Sequence, residues 1–119
     1  MSGNYFVQPA GQISVEELAQ RLKKDTPHLQ LLDVREPQEV EIASIEGFVN
    51  LPLSKHDKWA QQIHEHLDPH VETLVLCHHG IRSAHMCQWL ISQGFTEVKN
   101  IVGGIDAYSQ NIDRSVPQY

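Results

Sequence analysis

Short apolar runs alternate with helical stripes along most of this chain. Leu29 to Val34, Phe48 to Leu51, Thr73 to Leu76 and Glu97 to Ile101 read as short strands, and Gln12-Ile13 as a briefer extended entry. Between them the period changes. Val15, Leu18, Ala19 and Leu22 make an apolar stripe at helical spacing. Ser14 opens that helix, with Glu17 three residues later to complete a capping box. Glu36-Pro37 opens a second helix to about Ala43, with proline at an early position that tolerates it. Ser54 is expected to cap a third helix, running to about Leu67 and ended by Asp68-Pro69. A fourth is expected from about Ile81 to Gln93, stopped by Gly94. Gly103-Gly104 reads as a turn, and Ile105 to Gln110 as a last short helix. Strands alternating with helices predict an α/β fold: a central parallel sheet of about five strands, with helices on both faces. Ligands in such sheets bind at the carboxyl ends of the strands.

The apolar run Leu74-Val75-Leu76 leads straight into Cys77-His78-His79-Gly80-Ile81-Arg82, and the fourth helical pattern begins there. A cysteine is thereby placed where a strand ends and a helix begins. The N–H groups of such a loop, backed by the helix N-terminus, converge on one point and favour negative charge. A thiol at that point is expected to be acidified, and the thiolate is its reactive form. The loop carries an arginine and no acidic residue, so it suits an anionic sulfur and an anionic substrate.

Composition narrows the picture. A chain of 119 residues fits one domain, here 1–119 with a core of about 12–110, and is long enough to bury a core without disulfide or metal staples. The net charge of −6 argues against a nucleic-acid surface. The apolar runs are too short to span a bilayer. Met1 to Phe6 lack the basic and apolar blocks of a signal peptide. Two cysteines, Cys77 and Cys87, are too few for a disulfide framework. A reducing cytoplasm is the expected location, and it would keep Cys77 a free thiol.

Four blocks together resemble the rhodanese family of sulfurtransferases. They are Leu31-Leu32-Asp33-Val34-Arg35-Glu36-Pro37, then Glu41 to Gly47 followed by Asn50-Leu51-Pro52-Leu53, then the Cys77 loop, and finally Gly103-Gly104-Ile105-Asp106-Ala107-Tyr108. The likeness runs from about Ile13 to Tyr119. It departs from the family pattern at Ser44, commonly His, at Phe48, often Ala, and at Tyr108, commonly Trp; none of these lies in the active loop. The resemblance implies a three-layer rhodanese-like domain with Cys77 as nucleophile. It implies a thiolate that takes the outer sulfur of a donor such as thiosulfate and holds it as a persulfide. A thiophile such as cyanide or a thiol then removes that sulfur, in a covalent double displacement. The implied partners are that small donor and acceptor, or an acceptor protein in a sulfur relay such as tRNA thiolation or cofactor synthesis. Neither nucleic acid nor membrane is an expected partner, and no cofactor is implied. A persulfide carrier with little turnover of its own is the alternative. A cysteine phosphatase or arsenate reductase is disfavoured by the family's rule of loop length, because this loop is Cys-x4-Arg where the phosphatases use Cys-x5-Arg.

Several residues have two readings. Arg82 either binds the sulfonate end of a donor or packs outward against a carboxylate. His78 and His79 either line the pocket as hydrogen-bond donors or face solvent. Gly80 permits a backbone angle or a close approach, and Ile81 offers its N–H and some apolar wall. Asp33 and Arg35 are expected to form a supporting ion pair that fixes the ends of two neighbouring strands. Cys87 is expected to pack against the sheet, with a resolving thiol as the alternative. His64, His66 and His70, and separately Cys77, His78, His79 and His85, cluster in sequence. Neither group has the pair spacing of a metal site, and no metal is expected.

Overall fold

The computed structural model describes residues 10–24 and 28–119; the expectation about a signal peptide at Met1 to Phe6 lies outside the described residues. Five strands form one parallel sheet in the order β1-β5-β4-β2-β3, with β1 Gly11–Ile13, β2 Leu29–Asp33, β3 Val49–Asn50, β4 Glu72–Leu76 and β5 Val98–Ile101. The alternation of side chains along β4 sorts the core into two layers. Leu74 and Leu76 face Ile13, Val15, Leu18, Ile101 and Ile105, beneath α1 (Val15–Lys23) and α6 (Gly104–Asn111). Val75 and Cys77 face Leu32, Ile63, Met86, Cys87 and Leu90 on the opposite side. That side is covered by α3 (His56–Trp59), α4 (Ile63–His66) and α5 (Ile81–Ser92). The result is the expected α/β sandwich of helices around a parallel sheet.

Local chemistry explains the helix starts. Ser14 Oγ accepts the Glu17 N–H at 3.0 Å and Glu17 Oε1 accepts the Ser14 N–H at 3.3 Å, a reciprocal cap that contributes about 1 kcal/mol. Pro37 begins α2 (Pro37–Ile42), where its missing N–H costs nothing. Glu72 on β4 binds Arg21 of α1 and Lys99 of β5, at 2.5 and 2.7 Å, and ties one helix to two strands.

The third expected helix is the clearest departure. Ser54 caps nothing, because its N–H and hydroxyl both bind the Glu36 carboxylate. The segment is broken instead into the 3₁₀ turn Leu53–Lys55, α3, the 3₁₀ turn Ala60–Gln62 and α4. Trp59 sets this path. Its indole N–H reaches back to the Pro52 carbonyl at 2.9 Å, and its ring packs edge-on against His56 and Trp89. Tertiary aromatic packing here overrides the regular helical repeat. Strand β3 is also shorter than the run Phe48 to Leu51 suggested, and Gly104 belongs to α6 rather than to a turn before it.

Candidate active site

Cys77 lies at the carboxyl end of β4, the middle strand of the sheet, and is 1% exposed. The loop after it is held from below by α6. Ile105 N–H donates to the Cys77 carbonyl and Asp106 N–H to the His78 carbonyl, both at 3.0 Å. These are N-terminal helix donors that otherwise lack partners. With the loop carbonyls engaged by α6, the Gly80 N–H turns inward and donates to Cys77 Sγ at 3.0 Å. Two glycines make this possible. Gly80 has φ +96°, and a Cβ there would press to 3.0 Å from the Gly103 nitrogen. Gly104 has φ +62°, and a Cβ there would lie 2.5 Å from the Cys77 carbonyl oxygen and collide with that of His78.

A second set of contacts reaches Cys77 from β5. Ser83 Oγ, fully buried in the first turn of α5, lies 3.2 Å from Sγ. Ser83 in turn donates to Asn100 Oδ1, and Asn100 Nδ2 donates to the Gly80 carbonyl at 3.0 Å. Neither Ser83 nor Asn100 was singled out from the sequence. The available signal was Asn100 itself, a polar residue on the buried face of a short apolar strand.

Arg82 does not point into the loop in this structure. Both of its terminal nitrogens bind Glu39 of α2, each at 2.8 Å. Glu39 also accepts the Glu36 N–H and the Tyr119 hydroxyl. The Arg82 guanidinium, first of all, holds the Glu39 carboxyl down at about 2, and Glu39 raises Arg82 in return. Arg35 is fully buried and pairs with Asp33, Nε to Oδ1 at 3.0 Å and Nη2 to Oδ2 at 2.7 Å. The pair does not bridge two strand ends. It braces the connection from β2 through α2, because Arg35 also donates to the Ala43 and Glu39 carbonyls. Asn50 completes the brace by donating to the Asp33 and Arg35 carbonyls.

Tyr119 joins these two ion pairs. Its hydroxyl accepts from Arg35 and donates to Glu39, both at 2.9 Å. Its ring lies flat on His78, with centroids 3.8 Å apart and planes within 7°. His78 stacks in turn on His79, with centroids 3.9 Å apart. Desolvation, with His79 adding to it, lowers the pKa of His78. His79 is the outer ring, more than half exposed, 3.9 Å from Asp106. Ile81 is 70% exposed and forms the outer rim of the loop rather than a closed wall.

Among the described residues, His64, His66 and His70 bring no set of ligand atoms together. His64 bonds to the Gln93 carbonyl and stacks on Phe95. His78, His79 and Asp106 do gather donor atoms within 4.8 Å of one another. The imidazoles of His78 and His79 are stacked there, with planes 27° apart.

A parallel sheet with a cysteine loop at its central strand, supported by the N-terminus of the last helix, defines the class, and comparison with known proteins agrees. Residues 14–111 match the rhodanese-like domain model, and the chain belongs to that family. It is 46% identical over 114 residues to the chloroplastic rhodanese-like/PpiC domain-containing protein 12 of Arabidopsis thaliana, covering 94% of this chain and 38% of that protein. It is 37% identical over 94 residues to the putative sulfur carrier protein YrkF of Bacillus subtilis, covering 79% of this chain and 48% of that protein. The chain thus spans less than half the length of these curated relatives. Among solved structures, a rhodanese-related protein from Thermoplasma volcanium superposes with a TM-score of 0.69 at 29% identity, covering 90% of this chain and 95% of that one. The family is one of sulfur transfer. Among the described residues no helix is long and apolar enough to cross a membrane.

Proposed function

We propose that this chain moves sulfane sulfur through a persulfide on Cys77. The observation that carries the reading is the setting of Sγ: it sits at the end of the central strand and receives the Gly80 N–H from a loop whose carbonyls α6 holds. The Cys77 thiolate attacks the outer sulfur of a donor such as thiosulfate. A new Sγ–S bond forms, the donor's S–S bond breaks, and sulfite leaves with the electron pair. An acceptor thiolate or cyanide then attacks the outer sulfur, and Cys77 departs as thiolate. Asp33 and Arg35 support the loop from beside it, and His78, His79 and Ile81 form its rim. A reducing compartment such as the cytoplasm keeps Cys77 available; the chloroplastic relative makes a plastid a second candidate.

One observation favours a second reading, a persulfide carrier serving a partner protein. The Arg82 charge is neutralised by Glu39, which leaves it poorly placed to draw a small anionic donor. The name of the Bacillus subtilis relative points the same way. Incubation with thiosulfate, followed by peptide mapping by mass spectrometry, tests the shared core of both readings. One added sulfur on Cys77, absent in Cys77→Ala, is expected; sulfur on Cys87 instead would overturn the mechanism. Steady-state transfer from thiosulfate to cyanide then separates the two readings. Fast ping-pong turnover marks the enzyme. A stable persulfide that a protein acceptor discharges marks the carrier.

A further inference from the structure

The Ser83 hydroxyl has one proton and two acceptors within reach. Asn100 decides where that proton goes. Its Nδ2 faces the Gly80 carbonyl, which can only accept, so its Oδ1 faces Ser83 and must itself accept. With Ser83 donating to Asn100, the Cys77–Ser83 contact is completed by a proton on sulfur. A thiolate cannot supply that proton. It must draw the Ser83 hydroxyl toward itself, and this leaves Asn100 Oδ1 buried against an oxygen lone pair, with its own bond lost. Turning the amide over does not help, since Oδ1 would then face the Gly80 carbonyl. Ser83 is fully buried and Asn100 only 7% exposed, so bulk water does not offer an easy replacement.

The persulfide changes this balance. Its negative charge sits on the outer sulfur, and Sγ becomes a neutral, two-coordinate sulfur that accepts weakly. Ser83 is then free to return its proton to Asn100. We infer that Asn100 is a positioning residue which, through Ser83, favours the sulfur-loaded form of Cys77 over the free thiolate. The inference rests on the sulfur-transfer reading above and deepens it: discharge to a thiol, in which Sγ leaves as thiolate with the electron pair of the Sγ–S bond, is slowed by the Ser83–Asn100 bond it must break. A site built this way retains its sulfur until an acceptor takes it.

The test measures two rates on the intact chain. One is alkylation of the free Cys77 thiol by iodoacetamide at pH 7, with the adduct located by mass spectrometry. The other is loss of the Cys77 persulfide to a small thiol. Asn100→Ala is expected to accelerate both, by about threefold to tenfold, since Ser83 then donates to sulfur without competition. Ser83→Ala is expected to slow alkylation by a similar factor, and Ser83→Thr to restore it. In the Ser83→Ala background, Asn100→Ala should change nothing further. If Asn100 served only to pin the Gly80 carbonyl, its removal would loosen the loop and slow both reactions. Slowed or unchanged alkylation in Asn100→Ala, or an effect that persists without Ser83, overturns the inference. Should Asn100→Ala not fold, Asn100→Val keeps a strand-compatible side chain with no acceptor and makes the same comparison. A wild type that takes up no sulfur at all overturns the sulfur-transfer reading, and the alkylation rates still decide whether Asn100 withholds the Ser83 proton.

Discussion

Cys77 and Cys87 lie in the same apolar cluster and are buried to the same degree, 1% and 0% exposed. Their surroundings differ in kind. Cys87 sits in the middle of α5 beside Met86 and Leu90, and burial, with the nearby Cys77 adding to it, pushes its thiol up to about 12. Cys77 ends a strand, with the Gly80 N–H at 3.0 Å and the Ser83 hydroxyl at 3.2 Å. Accessible area does not tell these two thiols apart. The Gly80 N–H aimed at sulfur does, because a buried anion is tolerable only where dipoles replace water. Cys87 therefore reads as packing, and Cys77 as the thiol on which the proposed sulfur transfer rests.

Exchanging the thiols tests the contrast most severely. Cys77→Ser is expected to lower sulfur transfer by more than about a thousandfold, while Cys87→Ala keeps wild-type turnover. Steady-state assays of the two variants, side by side, check this. A comparable loss in both would tie Cys87 to the chemistry after all.

The second test removes the support of Cys77 and leaves Cys87 alone. Gly104→Ala should cost about 3 kcal/mol in urea unfolding, since its Cβ runs into the loop carbonyls and its backbone is left-handed. Persulfide formation by the variant should fall as well. A cost under about 1 kcal/mol would mean that α6 can slide away without consequence to the loop.

Changing Cys87 alone asks whether its role is packing. Cys87→Ser is expected to destabilise by about 2 kcal/mol, because a buried hydroxyl replaces a sulfur that needs no partner, and Cys87→Ala by only about 1 kcal/mol. Equal costs would show that Cys87 has a hydrogen-bonding neighbour.

The smallest effect concerns acid, at the Glu39 carboxyl that pairs with Arg82 of the Cys77 loop. The Glu39 carboxyl, beside Arg82, is held at about 2 against an ordinary 4.5. Its stabilising contribution is fully present above 4.5 and is lost as pH falls through about 2. The thermal midpoint should decline across that window, and Glu39→Gln should flatten part of the decline. The change is modest because Arg82 is more than a third exposed and the pair is screened. A profile left unaltered by Glu39→Gln would place the acid sensitivity elsewhere, with Glu72 the next group to examine.

The Ser14 cap, the two-faced strands and the cysteine at a strand end were legible in the sequence because each is local. A cap spans three residues, a buried strand is a short unbroken apolar run, and a strand-to-helix loop is contiguous. The helix expected from Ser54 to Leu67 failed for the opposite reason: Trp59 and Trp89 meet across the fold, and no periodicity within the segment reports that contact. The same distinction divides the active site. Cys77, Gly80 and the paired Gly103-Gly104 announce themselves by type and spacing. The destination of Arg82 was open, and Glu39 lies far from it in the chain. Tyr119 over His78 had no signal at all.

By itself, then, the amino-acid order determined the parallel α/β class, the family and the place of Cys77 at a strand end. Tertiary structure alone decided which groups face that sulfur. Alternation along β5 puts Asn100 on a buried face, but only the strand order, with β5 beside β4, brings it to Ser83 and Gly80. The physical reason is that side-chain periodicity records which face a residue shares, while hydrogen bonding depends on which neighbour occupies that face, and neighbours are assigned by the closing of the whole sheet.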